Sequence, residues 1–149
     1  MYSIDFDKNL IRGVNLIDIE LLNPHEKVIE KKKTSLAKFI KSYDNYYIIS
    51  SIVCCHKSML IIDGHHRYFA LKELGFKKVP VTHIDYSHKS IRTGKLNSID
   101  KEQIIKMGRS NELMEPKSTE HAVYCNKTKK WQPIILLSSM FKIYTKDIL

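Results

Sequence analysis

Asp63-Gly64-His65-His66-Arg67 is the densest set of reactive side chains in the sequence, inside "IIDGHHRYFALKELG". A carboxylate there can hold a metal ion, accept a hydroxyl proton or orient a histidine. Glycine allows a sharp turn and a close backbone approach to a ligand. Arg67 and two imidazoles add donors for an anion. Asp-Gly alone is a common turn, and single histidines often sit in turns without a task. Five such residues together are hard to explain by stability alone.

The flanking elements explain how the set is positioned. The apolar run at 59–62 predicts a buried strand. Residues 67–74 predict a short helix with Ala70, Leu71 and Leu74 inward, and Gly75 stands where a left-handed cap needs glycine. The set therefore sits at a strand-to-helix switch. The first turn of a helix has N–H groups without intrahelical partners and a partial positive charge, which makes it a ready anion site. A phosphate-binding turn with an acid beside it is the simplest reading.

The rest of the chain alternates in the same way. Residues 14–19 predict a strand, followed by an Asn23-Pro24 turn that carries His25 and Glu26. Residues 31–43 predict a helix with Leu36, Ala37, Phe39 and Ile40 on one face. Residues 47–54 are β-branched and predict one strand, with a tight turn at 56–58. Residues 79–84 predict a strand close to a sheet edge, because Pro80 lacks an N–H. Residues 101–107 predict a helix, 111–121 a polar loop, and 131–143 a buried strand or a short helix. The expected fold is α+β (mixed α/β), with a small mixed sheet and short flanking helices in one domain over 1–149.

With 149 residues, 43% apolar and 28% charged, the chain reads as globular. No stretch reaches the roughly 18 apolar residues of a membrane span. "MYSIDFDKNLIRG" lacks the layout of a secretory signal, so a cytoplasmic location is expected. The formal charge of +9 favours an anionic partner such as a nucleotide, a phosphorylated metabolite or nucleic acid. Its lysine clusters lack the arginine density and aromatic interleaving of a nucleic-acid groove. Cys54, Cys55 and Cys125 make no disulfide framework.

"IIDGHHRYFALKELGFKKVPV" resembles the ParB/sulfiredoxin-like superfamily, and in particular its free serine kinase branch. That branch is similar in its buried strand, Asp-Gly-His-His-Arg, Ala- and Leu-bearing helix, Leu-Gly and Pro-Val. "LLNPHEKV" looks like the branch's Pro-x-Glu or His-Glu segment, and "MEPKSTEH" like its Pro-Lys-Thr-Thr-x-His segment. The three come in the expected order over about 14–121. The resemblance implies a compact domain that phosphorylates the hydroxyl of free L-serine, with ADP or ATP as donor and magnesium as cofactor. Carried over, Glu26 is the general base. Asp63 assists near the transferred phosphate by a hydrogen bond or by holding magnesium. Gly64, His65, His66 and Arg67 hold the nucleotide phosphates. Lys117, Ser118, Thr119 and His121 complete the phosphate and substrate pocket. Phosphoryl transfer needs positioning, charge neutralisation and a base, which these residue types supply.

Two departures fall on the substrate side. The branch tends to carry a tryptophan about where Gly94 stands, and a base where Glu120 stands. A related amino acid as acceptor stays open. So does the alternative of a ParB-like nucleotide-binding protein that binds DNA or regulates without kinase activity. Against DNA binding, no convincing helix-turn-helix pair follows the motif. A sulfiredoxin-like reductase needs a cysteine inside the phosphate turn, and 63–67 hold none. No carboxylate cluster suggests a two-metal nuclease.

Overall fold

The computed structural model describes residues 2–40, 44–94, 100–110, 113–114 and 120–148. Its strands and helices follow one another as β1 (Ile11–Asp18), α1 (Glu30–Phe39), β2 (Tyr46–Ser50), β3 (Ile52–Cys55), β4 (Ile61–Asp63), α2 (His65–Glu73), β5 (Lys78–Ile84), β6 (Ile91–Arg92), α3 (Lys101–Ser110), β7 (Ala122–Cys125), β8 (Lys130–Pro133) and β9 (Met140–Tyr144). The architecture is mixed α+β. A four-stranded sheet in the order β1-β5-β3-β4 is accompanied by a β2-β9 pair and a three-stranded β6-β7-β8 sheet.

The central sheet is covered on both faces, and the sequence of β3 shows why. Ile52 and Cys54 belong to one apolar cluster, with Tyr68 and Leu71 of α2. Val53 and Cys55 belong to a second, with Ile104 of α3 and Val123 of β7. Successive side chains of a strand point to opposite faces, so a strand buried on both sides reads as an unbroken apolar run. Both cysteines are consequently buried.

Two sequence expectations are corrected. The run at 47–54 is not one strand. It breaks at Ser51, and its halves enter different sheets: β2 pairs with β9, and β3 with β4 and β5. The break is held by side chains as well as backbone. Ser51 Oγ accepts from Ser139 N–H at 2.8 Å and lies 2.7 Å from Thr82 Oγ1. Second, β5 is not at an edge; it lies between β1 and β3. Pro80 is tolerated because pairing with β3 begins one residue later, at Val81 opposite Ile52.

The strand–turn–helix unit forms where expected, with α2 beginning two residues earlier, at His65. It ends in a Schellman motif: Phe76 N–H reaches Leu71 C=O at 3.0 Å, and Gly75 N–H reaches Lys72 C=O at 3.1 Å. Gly75 takes φ +87° to make this possible. The segment at 131–143 resolves its ambiguity by being both: β8, a 3₁₀ turn at Ile134–Leu137, then β9. Helix α1 ends at Phe39, earlier than the pattern suggested.

Candidate active site

Strand β4 ends at Asp63, and Gly64 turns the chain into α2 with φ +103°. Only glycine takes that conformation without strain. The turn is also tight against Arg67: a Cβ on residue 64 would lie 2.9 Å from Arg67 Nη1. Arg67 is aimed inward, where Nη1 donates to Ser51 C=O at 3.0 Å. One arm of the guanidinium thus ties the turn to the point where the chain changes sheets.

Glu26 arrives from far along the chain. Its segment lies beside the turn and is held from both sides. Asn23 and Leu60 form a parallel bridge. On the other side, Met114 N–H donates to His25 C=O at 2.7 Å, and Lys27 N–H donates to Met114 C=O at 2.6 Å. The two motif histidines complete the clasp. His25 N–H donates to His65 Nε2 at 3.1 Å, and Ile29 N–H donates to His66 Nε2 at 3.0 Å. A backbone N–H can only donate, so both Nε2 atoms must present lone pairs. In this arrangement His65 and His66 are neutral, with their protons on Nδ1.

The electrostatics agree with the geometry. Burial pushes His65 down to about 3, with His25 adding to the effect. His121 is likewise pushed down to about 3, mainly by burial and then by His25. The carboxyl of Asp63 is pushed up by burial; Arg67 opposes this and Glu26 adds to it. His65 and His121 are therefore uncharged, and Asp63 is more basic than a surface carboxylate. His25 is fully buried and packs edge-on to His65, ring centroids 4.5 Å apart, with Nε2 3.6 Å from Glu26 Oε2.

These groups share one cavity of about 370 Å³. Glu26, Asp63, Gly64, His65, His66, Arg67 and His121 all line it. Of the remaining candidates, Lys117, Ser118 and Thr119 lie outside the described residues. Sequence reasoning did not find the apolar side: Leu36 of α1 and Pro133, Ile134 and Ile135 complete the wall. Their composition carries no signal for this, because tertiary packing alone brings them to the turn. Glu120 lines the cavity as well. Trp131 does not stand in for the missing aromatic; it stacks with Arg92, whose guanidinium lies 4.6 Å from the ring centroid.

Among the described residues no three His, Cys, Asp or Glu side chains gather as a metal site. The arrangement suits anion binding at the helix start, with carboxylates beside it for proton handling.

No protein-family model matches the chain. It is 40% identical over 80 residues, 52% of its length, to an ATP-dependent L-serine kinase of Staphylothermus marinus. It is 36% identical over 78 residues to a ParB-like protein of Sulfolobus acidocaldarius. The matches cover 31% and 38% of those relatives, so the chain spans about a third of their length. Among solved structures, a free serine kinase in complex with AMP superposes with a TM-score of 0.71. That match covers 99% of this chain and 97% of the other, at 14% identity. The chain has the fold of the free serine kinases and sequence relatives among L-serine kinases and ParB-like proteins.

Proposed function

We propose that the protein transfers a phosphoryl group from ATP or ADP to the hydroxyl of free L-serine, yielding O-phospho-L-serine. One observation carries the reading. A single cavity unites Glu26, carried on its own clamped segment, with the Asp63–Arg67 turn and His121. Relatives that bear the L-serine kinase name support the choice of acceptor.

Each residue then has a task. Glu26 accepts the hydroxyl proton as the serine oxygen attacks. The Gly64 turn and the start of α2 hold phosphate oxygens. His65 and His66 carry their protons on Nδ1 as donors to phosphate, and with each Nε2 lone pair taken by a backbone N–H neither ring competes with the attacking oxygen. Arg67 supplies positive charge from behind the turn. Lys117, Ser118 and Thr119, on this reading, complete the phosphate and substrate pocket with His121.

Magnesium fits the donor set as a nucleotide-borne ion. It is commonly held by one or two carboxylates plus phosphate oxygens rather than by a protein cage. Asp63 and Glu26 are the carboxylates at hand, with Asp63 beside the transferred group. When bound, the ion would neutralise charge building on the phosphoryl oxygens.

The test is phosphorus NMR of the full chain with magnesium, L-serine and either ADP or ATP. The expected result is a serine-dependent phosphomonoester signal. It should fall by about 10²- to 10⁴-fold in Glu26→Ala, as loss of a general base implies, and by a comparable factor in Asp63→Ala. Nucleotide binding without any product would overturn serine as acceptor. It would favour the second reading, a ParB-like nucleotide-binding regulator, which a relative of that name supports. DNA binding with a steep salt dependence would then be the next expectation.

A further inference from the structure

One buried contact at this cavity has no role in the scheme above. Tyr86 follows β5, is 2% exposed, and places its hydroxyl 2.6 Å from His121 Nε2. His121 is 7% exposed. Its other ring nitrogen, Nδ1, is buried and has no partner among the described residues.

Two arrangements of protons fit the distance, and they differ in what they leave unsatisfied. If His121 donated from Nε2, Nδ1 would be a bare lone pair in the interior. The Tyr86 proton would then also lack an acceptor, since the hydroxyl has no other hydrogen-bond partner among the described residues. Each unmade buried hydrogen bond carries a desolvation cost. If Tyr86 donates, its proton is used and Nε2 is used, and only an Nδ1–H remains. Charged alternatives are disfavoured, because burial keeps the phenol protonated and the imidazole neutral.

We propose that Tyr86 is a positioning residue: its hydroxyl fixes His121, which lines the cavity, in the Nδ1–H form and so keeps it a neutral donor for an oxygen of the reacting phosphoryl group. His65 and His66 obey the same rule through a different partner, the backbone N–H groups of the Glu26 segment. All three imidazoles of the cavity thus accept at Nε2 and donate from Nδ1. For His121 no acceptor stands at Nδ1 among the described residues, and a ligand oxygen can supply one. The tautomer rests on hydrogen-bond geometry and burial, whereas the use of its proton rests on the kinase reading.

The experiment separates the two. Long-range proton–nitrogen NMR of ¹⁵N-histidine-labelled full chain reads the tautomer directly, with His121→Asn identifying the signals. Wild type is expected to show His121 protonated on Nδ1, and Tyr86→Phe to move the proton to Nε2. An Nε2–H signal in wild type, or an unchanged Nδ1–H in Tyr86→Phe, would overturn the positioning role whether or not the protein is a kinase. In turnover, Tyr86→Phe should lower kcat roughly 10- to 100-fold with KM for nucleotide and serine within about threefold. If Tyr86→Phe does not fold, the His121 pair still decides. An Asn amide nitrogen falls near Nδ1 and a Gln amide nitrogen near Nε2, so His121→Asn should keep several-fold more activity than His121→Gln. Equal activities, or the reverse order, would overturn the assignment of the Nδ1 proton.

Discussion

The cavity at the Asp63–Arg67 turn and a second one beyond the last residues of β3 and β5 differ in how their charges are used. The second is the larger, about 490 Å³ against 370 Å³, and it is rich in ionic side chains. Several of those side chains have partners close by. Arg12 lies 3.9 Å from Asp85, Asp85 accepts from Ser87, and Lys101 donates to His88 C=O. The Ser87 hydrogen bond holds Asp85 below the usual carboxylate range. Burial lowers Lys101 and raises Tyr86 there as well, whereas at the turn it displaces a carboxylate and two histidines together. Asp63 is raised, and His65 and His121 are driven down. Groups settled in their ordinary charge states stabilise a surface; groups forced out of them are available for chemistry. Size ranks the two cavities one way and electrostatics the other, and only the second ranking concerns reactivity.

The contrast is most exposed to acid. His65 and His121 have native values near 3 against 6.5 for the free side chain. Between those limits the unfolded chain binds protons that the native chain does not, so stability must fall as pH falls. The contribution is complete above about 6.5 and drains away toward 3. Asp63 has the opposite sign, since its raised value lets the native state hold a proton longer, and one group offsets part of two. Unfolding free energies from urea titrations at pH 7 and pH 5 should therefore differ by on the order of 3 kcal/mol, at about 1.4 kcal/mol per unit and group. His121→Asn should remove about half of the difference. A flat profile would mean that the histidines at the turn are hydrated, and the contrast with the second cavity would be lost.

Gly64→Ala is the next largest effect. It forces a side chain into φ +103° and toward Arg67 Nη1, which is already committed to Ser51 C=O. The expected loss is about 2 kcal/mol of stability, together with weakened nucleotide binding, measured by denaturation and by titration with ADP. A variant that bound nucleotide as wild type does would show that the turn's conformation is not what receives the phosphates.

How much of this was legible from residues follows from how local each feature is. The turn was legible because strand, acid, glycine, histidines and helix are contiguous, and each obeys a rule of near neighbours. Gly75 was legible for the same reason. The break at Ser51 was not, because β-branched residues run through it and only pairing with β9 and β5 separates the halves. Pro80 misled because its missing N–H was judged without knowing where β3 begins. Glu26 could be nominated by resemblance, but its clasp by His65 and His66 depends on lone pairs that no spacing reveals. Tyr86 carried no signal at all: an isolated tyrosine after a strand becomes informative only when a histidine from 35 positions away meets its hydroxyl.

The smallest expected effect tests the quiet side of the comparison. The Arg12 side chain is half exposed and its partner Asp85 is partly so. An exposed pair at that separation contributes no more than about 1 kcal/mol. Arg12→Ala should leave stability within that margin and phosphoryl transfer within about twofold. The measurement matters because Tyr86 lines the second cavity while its hydroxyl serves the first. If charge lost at Arg12 altered kcat, the Tyr86–His121 hydrogen bond is a contact between the two linings through which it could act. The second cavity would then be coupled to the reaction rather than inert. An unchanged kcat beside the drop expected for Tyr86→Phe locates the effect of Tyr86 in its hydrogen bond to His121, and not in the charges around its ring.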